Sequence, residues 1–177
     1  MSWMEFMMKR LIVAFVVVLM GMVLASPAQA YPAMPQGVQG PYTVLKVVDG
    51  DTIHVSVNGQ KLKIRMIGLD TPETVDPRKP VQCFGREASA QAKAILGGQQ
   101  VYLETDPSQD TVDRYGRTLA YVWTTSGRLF NLDMITDGYA FEYTYDLPYR
   151  YQADFKTAEG DARTQSRGLW SPGACPQ

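Results

Sequence analysis

The dipeptide Asn58-Gly59 constrains this chain more than any other feature. Asn-Gly favours a two-residue turn with positive φ, whose twist joins antiparallel strands. On its N-terminal side lies TIHVSV (52–57), with Ile53, Val55 and Val57 on one face. On its C-terminal side KLKIRMIGL (61–69) sets Leu62, Ile64 and Met66 together and Lys61, Lys63, Arg65 and Ile67 opposite. Upstream, YTVLKVV (42–48) is also strand-like and is broken by Asp49-Gly50-Asp51. Three strands in a meander open a small barrel.

The rest of the chain supplies two more strands and the helices. Arg86 to Leu96 is alanine-rich and helix-favouring, with Gly97-Gly98 as its stop. QQVYLET (99–105) and RYGRTLAYVWT (114–124) read as strands. Asn131 is expected to cap a short helix, LDMITD, closed by Gly138. A last helix runs from about Tyr149 to Arg167, with Tyr151, Phe155, Ala158 and Ala162 on one face. The expected fold is α+β: a five-stranded OB-type barrel with about three helices.

The N-terminus reads differently. Lys9-Arg10 precedes an apolar run from Leu11 to Ala25, then Ala28-Gln29-Ala30. This is the pattern of a secretory signal cut after Ala30. The alternative is a retained anchor, but the run spans only about 22 Å as a helix, against a hydrocarbon core of roughly 30 Å. Residues 31–41 then form a flexible Pro/Gly-rich leader, 42–171 the folded domain and 172–177 a tail. An exported protein, periplasmic or secreted, is expected either way, with no stable membrane association once the signal is gone.

From Tyr31 onward the chain has 15 basic and 17 acidic residues. That balance lacks the basic excess of proteins that wrap nucleic acid non-specifically, though it leaves room for an enzyme that grips a few phosphates. Cys83 and Cys175 are the two cysteines. In an oxidising compartment a disulfide between them is expected, with two free thiols as the alternative. The single histidine, His54, reads as a packed core residue, which leaves little from which to build a zinc or imidazole-centred site. Nothing signals an oligomer, so a monomer is expected.

Between Val47 and Thr74 the chain gathers chemistry. Asp51 and Asp70 are hard oxygen ligands at the ends of neighbouring strands, and the Thr71 carbonyl, held extended before Pro72, adds a third; together they suit calcium. Arg65 and Arg117 have the fork that grips phosphate oxygens. Glu73 is placed to hold or deprotonate a water near the metal. Metal, two arginines and one carboxylate make a phosphodiester hydrolase, although each residue also has an ordinary structural reading.

DGDT followed by IRMIGLDTPET, then DRYGRTLAYV and a closing GLWS, resembles the staphylococcal nuclease (thermonuclease) family in order and spacing. The resemblance covers roughly Tyr42 to Ser171. It implies a calcium-dependent endonuclease acting on DNA and RNA, with single strands or breathing duplex preferred and 3′-phosphate and 5′-hydroxyl products. It implies Asp51, Asp70 and Thr71 as metal ligands and Arg65, Glu73 and Arg117 as catalytic residues. Arg114, Tyr115 and either Tyr143 or Tyr145 are implied nucleotide contacts, and Lys79, on the polar loop beside the site, joins them as a substrate contact. The slightly acidic charge and the cysteine pair depart from the family's best-known member. Two rival readings are a non-catalytic OB-type module binding single-stranded nucleic acid or a protein, and a calcium-stabilised adhesion domain. That Asp51, Arg65, Asp70, Glu73 and Arg117 are all present favours the nuclease.

Overall fold

The computed structural model describes residues 30–74 and 80–175. Apart from Ala30, the expected secretory signal (1–30) lies outside the described residues, as does Lys79. Among the described residues no helix is long and apolar enough to cross a membrane.

Five strands close into a barrel: β1 (Gln39–Val47), β2 (Thr52–Val57), β3 (Gln60–Met66), β5 (Gln100–Glu104) and β6 (Thr118–Thr124), in the order β1-β2-β3-β6-β5. Every pairing is antiparallel except β3 with β6, which is parallel. Two short strands, β4 (Leu69–Asp70) and β7 (Phe141–Glu142), pair beside the barrel. Three helices complete the α+β fold: α1 (Gly85–Leu96), α2 (Phe130–Thr136) and α3 (Gln152–Thr164).

The Asn58-Gly59 turn has φ of 51° and 79° at its two residues and sets the register Ile53↔Ile64 and Val55↔Leu62. Ile53, Val55, Ile64 and Met66 are buried, as alternation requires. The same alternation puts His54 opposite Lys63 on the outer face. It is half-buried there, so its expected place in the core is corrected. Ile67 is also buried, although grouped with the outward residues, because the strand ends at Met66 and Gly68 turns the chain with φ +80°.

β1 starts at Gln39, earlier than its β-branched stretch, because Gln39 pairs with Leu103 of β5. Asn131 does not cap α2; Leu129 occupies that position. Asn131 is fully buried, accepts the Val122 N–H at 2.8 Å and donates to the Ile67 carbonyl at 2.9 Å. It therefore ties β6 to the turn that leads into Asp70.

Helix α3 buries Phe155, Ala158 and Ala162, and Tyr151 at its start, as the spacing predicts. Tyr121 of β6 meets Tyr151 edge-on, ring centres 4.8 Å apart. Its hydroxyl donates to Asp106 at 2.7 Å. Burial raises the Asp106 pKa, but N–H groups of Arg150 and Ser108 and hydroxyls of Tyr121 and Ser108 outweigh it and hold the carboxyl below its ordinary range. A lowered folded-state pKa contributes stability above the unfolded value that is lost as pH falls through the folded one. Acid unfolding below about pH 4 is therefore expected to be steeper in the native chain than in Asp106→Asn, as read from urea midpoints against pH.

Cys83 and Cys175 form a disulfide that spans 92 residues. Closing a loop of that length stabilises by about 4–5 kcal/mol in the chain-entropy account. Reductant is accordingly expected to lower the urea midpoint clearly, and Cys175→Ala to become insensitive to it.

Candidate active site

The site sits where β2, β3 and the start of β6 meet. The turn Asp49-Gly50-Asp51 feeds β2, and Gly50 lies so close to Thr71 that a Cβ there would stand 2.5 Å from its methyl. This contact sets Asp51 against Thr71. Asp51 Oδ2 accepts both the Thr71 N–H at 3.0 Å and its hydroxyl at 3.1 Å. Asp51 is buried, and its Oδ1 accepts the Thr52 hydroxyl at 2.8 Å.

Arg65 lies directly across from Thr52 in the β2–β3 register. Its guanidinium spans the two aspartates, 3.1 Å from Asp51 and 2.7 Å from Asp70, and also donates to the Leu69 carbonyl at 2.9 Å. Arg117 immediately precedes β6, whose Thr118 pairs with Ile64. Asp113 accepts the Arg117 Nε–H at 2.6 Å and its backbone N–H at 2.9 Å. Arg117 Nη1 reaches the Thr52 hydroxyl at 3.3 Å. Thr52 thus links the Asp51 cluster to the second guanidinium.

The carboxylates crowd one another. Burial first, then the charge of Asp51, raises the Asp49 pKa to about 7. Asp70 is raised by burial, with Arg65 opposing and the charges of Asp51 and Glu73 adding. Glu73 therefore acts on the same cluster. The acid excess around one guanidinium, all of it hard oxygen, is a setting that suits a divalent cation. Among the described residues no three His, Cys, Asp or Glu side chains enclose a metal site by themselves. A ligand set of Asp51, Asp70 and the Thr71 carbonyl, completed by water, is compatible with that arrangement.

Glu73 is held from the far side of its loop. Its N–H donates to Gln82 Oε1 at 2.7 Å, and its carbonyl accepts the Gln82 N–H at 2.9 Å. Gly85 leaves no room for a Cβ, which would stand 2.8 Å from the Pro72 carbonyl oxygen. Gln82→Met, which keeps the length but loses the acceptor, is expected to lower turnover severalfold, and Gln82→Glu to retain most of it. Steady-state assays that separate kcat from KM check this.

Tyr115 is 64% exposed, with the Arg114 and Arg117 guanidinium carbons 4.9 and 5.4 Å from its ring centre. Tyr143 and Tyr145 follow β7, the partner of Asp70, and Tyr143 donates its N–H to the Gly68 carbonyl at 3.0 Å. Both are exposed. The structure thus joins Asp51, Asp70, Thr71 and Arg65 directly, Arg117 through Thr52, and Glu73 through its field. Sequence reasoning missed Thr52, Gln82, Asp49 and Asp113. Asp113 lies four residues before Arg117 on a tight turn, a spacing that was readable; Gln82 left no such signal.

The mixed barrel, its three helices and this constellation define a nuclease-type OB barrel. The chain belongs to the staphylococcal nuclease family: residues 63–172 match the group described as staphylococcal nuclease homologues. A thermonuclease of Staphylococcus hyicus is 45% identical over 130 residues, 73% of this chain and 75% of the relative. A thermonuclease of Staphylococcus intermedius is 40% identical over 129 residues, 73% of this chain and 75% of the relative. Endonuclease YncB of Bacillus subtilis is 35% identical over 130 residues, 73% of this chain and 61% of the relative.

Proposed function

We propose that the protein is an exported, calcium-dependent endonuclease that hydrolyses phosphodiester bonds of DNA and RNA, leaving 3′-phosphate and 5′-hydroxyl ends. One observation carries most weight: strands β2, β3 and β6 bring two guanidinium groups, Arg65 and Arg117, to the edge of the Asp51–Asp70 cluster. Thermonuclease and endonuclease relatives support the reading.

In this mechanism Arg65 and Arg117 donate N–H groups to the non-bridging phosphoryl oxygens and take up the charge that grows on them as water attacks. Glu73 holds the water and accepts its proton. The water oxygen bonds to phosphorus as the bond to the 5′-oxygen breaks, and that oxygen takes a proton from solvent to leave as the hydroxyl. Asp51, Asp70 and the Thr71 carbonyl would hold calcium, which when bound neutralises phosphoryl charge. Arg114 and Tyr115, with Tyr143 or Tyr145, receive an unpaired nucleotide, which favours single strands and breathing duplex. The disulfide fits an oxidising compartment outside the cytoplasm, and the enzyme works as a monomer.

Cleavage of a fluorogenic single-stranded DNA with calcium, repeated with a chelator, tests the reading. Activity lost on chelation, with products that need phosphatase treatment before a polymerase extends them, is the expected result. No cleavage by folded, calcium-loaded protein would leave the non-catalytic OB-type binding module as the better account.

A further inference from the structure

We propose that the outer face of β1, β2 and β3 is a subsite that tracks the backbone of a single-stranded nucleic acid, carried by Lys46, Lys61 and Lys63 and continuing from Arg65. It rests on the nuclease reading for what happens at Arg65, but its binding is measurable without cleavage.

The register builds the row. Arg65 lies opposite Thr52, Lys63 opposite His54 and Lys61 opposite Ser56, while Lys46 of β1 flanks His54 on its other side. Arg65, Lys63 and Lys61 are alternate residues of one strand, so they share a face and step by about 6.8 Å. That step is comparable with the distance between neighbouring phosphates of a nucleic-acid strand. The inward partners Ile53, Val55 and Ile64 are buried, which fixes the lysines outward, and all three are exposed. None of them forms an ion pair with a carboxylate among the described residues.

The field of the row is felt by His54. Its pKa is lowered by burial first, and then by Lys61, Lys46 and Lys63 in turn. A chain that carries one net negative charge therefore concentrates uncompensated positive charge on one barrel face. Lysine ammonium groups along a strand read charge and not sequence. The Arg65–Lys63–Lys61 row on β3 suits one backbone, with Lys46 flanking it across β2 and Tyr115 exposed to stack an unpaired base.

The test compares the protein with a Lys46→Ala/Lys61→Ala/Lys63→Ala variant and with the matching triple Lys→Arg variant. Anisotropy of a labelled 12-nucleotide oligothymidylate in chelator gives affinity against salt. Cleavage of the same oligonucleotide and of a dinucleotide in calcium gives kcat and KM. The alanine variant is expected to lose about 2 from the log–log salt slope, about 0.7 for each phosphate contact. Its KM on the oligonucleotide should rise about tenfold with kcat within twofold, and its dinucleotide kinetics should not move. The arginine variant should match the parent. Slopes and KM values equal in parent and alanine variant, or no binding by the parent, would overturn the subsite. A lysine-dependent slope in a protein that cleaves nothing would support the subsite while removing the nuclease reading.

Discussion

Arg65→Ala is expected to reduce kcat by at least 10²–10³-fold, in line with about 3–4 kcal/mol for one well-placed donor to transition-state charge. The side chain has two tasks. In the proposed reaction it donates to the phosphoryl group, and in the structure it is the cation between Asp51 and Asp70, at 3.1 and 2.7 Å. Removing it leaves buried Asp51 and raised Asp70 facing each other without their guanidinium, so stability should fall as well. Calcium is then expected to stabilise the variant more than the parent, because a divalent cation supplies the missing charge. Arg65→Lys keeps one positive charge but loses the planar fork, and should remain well below the parent in kcat while recovering most of the stability. Thermal melts with and without calcium, beside single-turnover cleavage rates, separate the two tasks. Full turnover by Arg65→Ala would remove Arg65 from the reaction.

Glu104→Ala is expected to cost about 3–5 kcal/mol, on the order of 10 °C in Tm, with little direct effect on chemistry in the protein that remains folded. Glu104 is buried and accepts the Trp123 indole N–H at 2.7 Å and the Tyr151 hydroxyl at 3.0 Å, while Arg150 reaches it at 2.5 Å. Truncation leaves two donors on buried aromatic rings without an acceptor. The Arg150 contact matters less, since that side chain is 54% exposed and water screens the pair. Glu104→Gln should fall between the two, because an amide offers one acceptor oxygen and adds a donor that faces other donors. A loss under about 1 kcal/mol for Glu104→Ala would mean that Trp123 and Tyr151 find other partners.

The barrel was legible in the sequence because its strongest signals are local. Asn58-Gly59 and the alternation on either side of it define β2 to the residue and locate β3, which runs Gln60–Met66 and stops three residues short of the expected Leu69. Helix α3 announces its buried face by spacing alone. What the sequence hid depends on partners far along the chain. Gln39 is a strand residue only because Leu103 lies beside it, and Asn131 resembles a cap until Val122 and Ile67 are brought to its amide. His54 follows the same logic in reverse, since strict alternation already pointed it outward. Within the site, the motif residues Asp51, Arg65 and Asp70 were readable and do converge. Gln82 was not, because an amide that positions a backbone N–H across a loop has no pattern of its own.

The parallel pairing of β3 with β6 has a consequence for when the two arginines come together. Parallel neighbours need a long crossover, and here 52 positions separate Arg65 from Arg117. An unfolded chain holds neither arginine near its counterpart, and the bond between Cys83 and Cys175 cannot form until residues 92 positions apart have met. The proposed nuclease would therefore stay inert until the barrel has closed around both arginines.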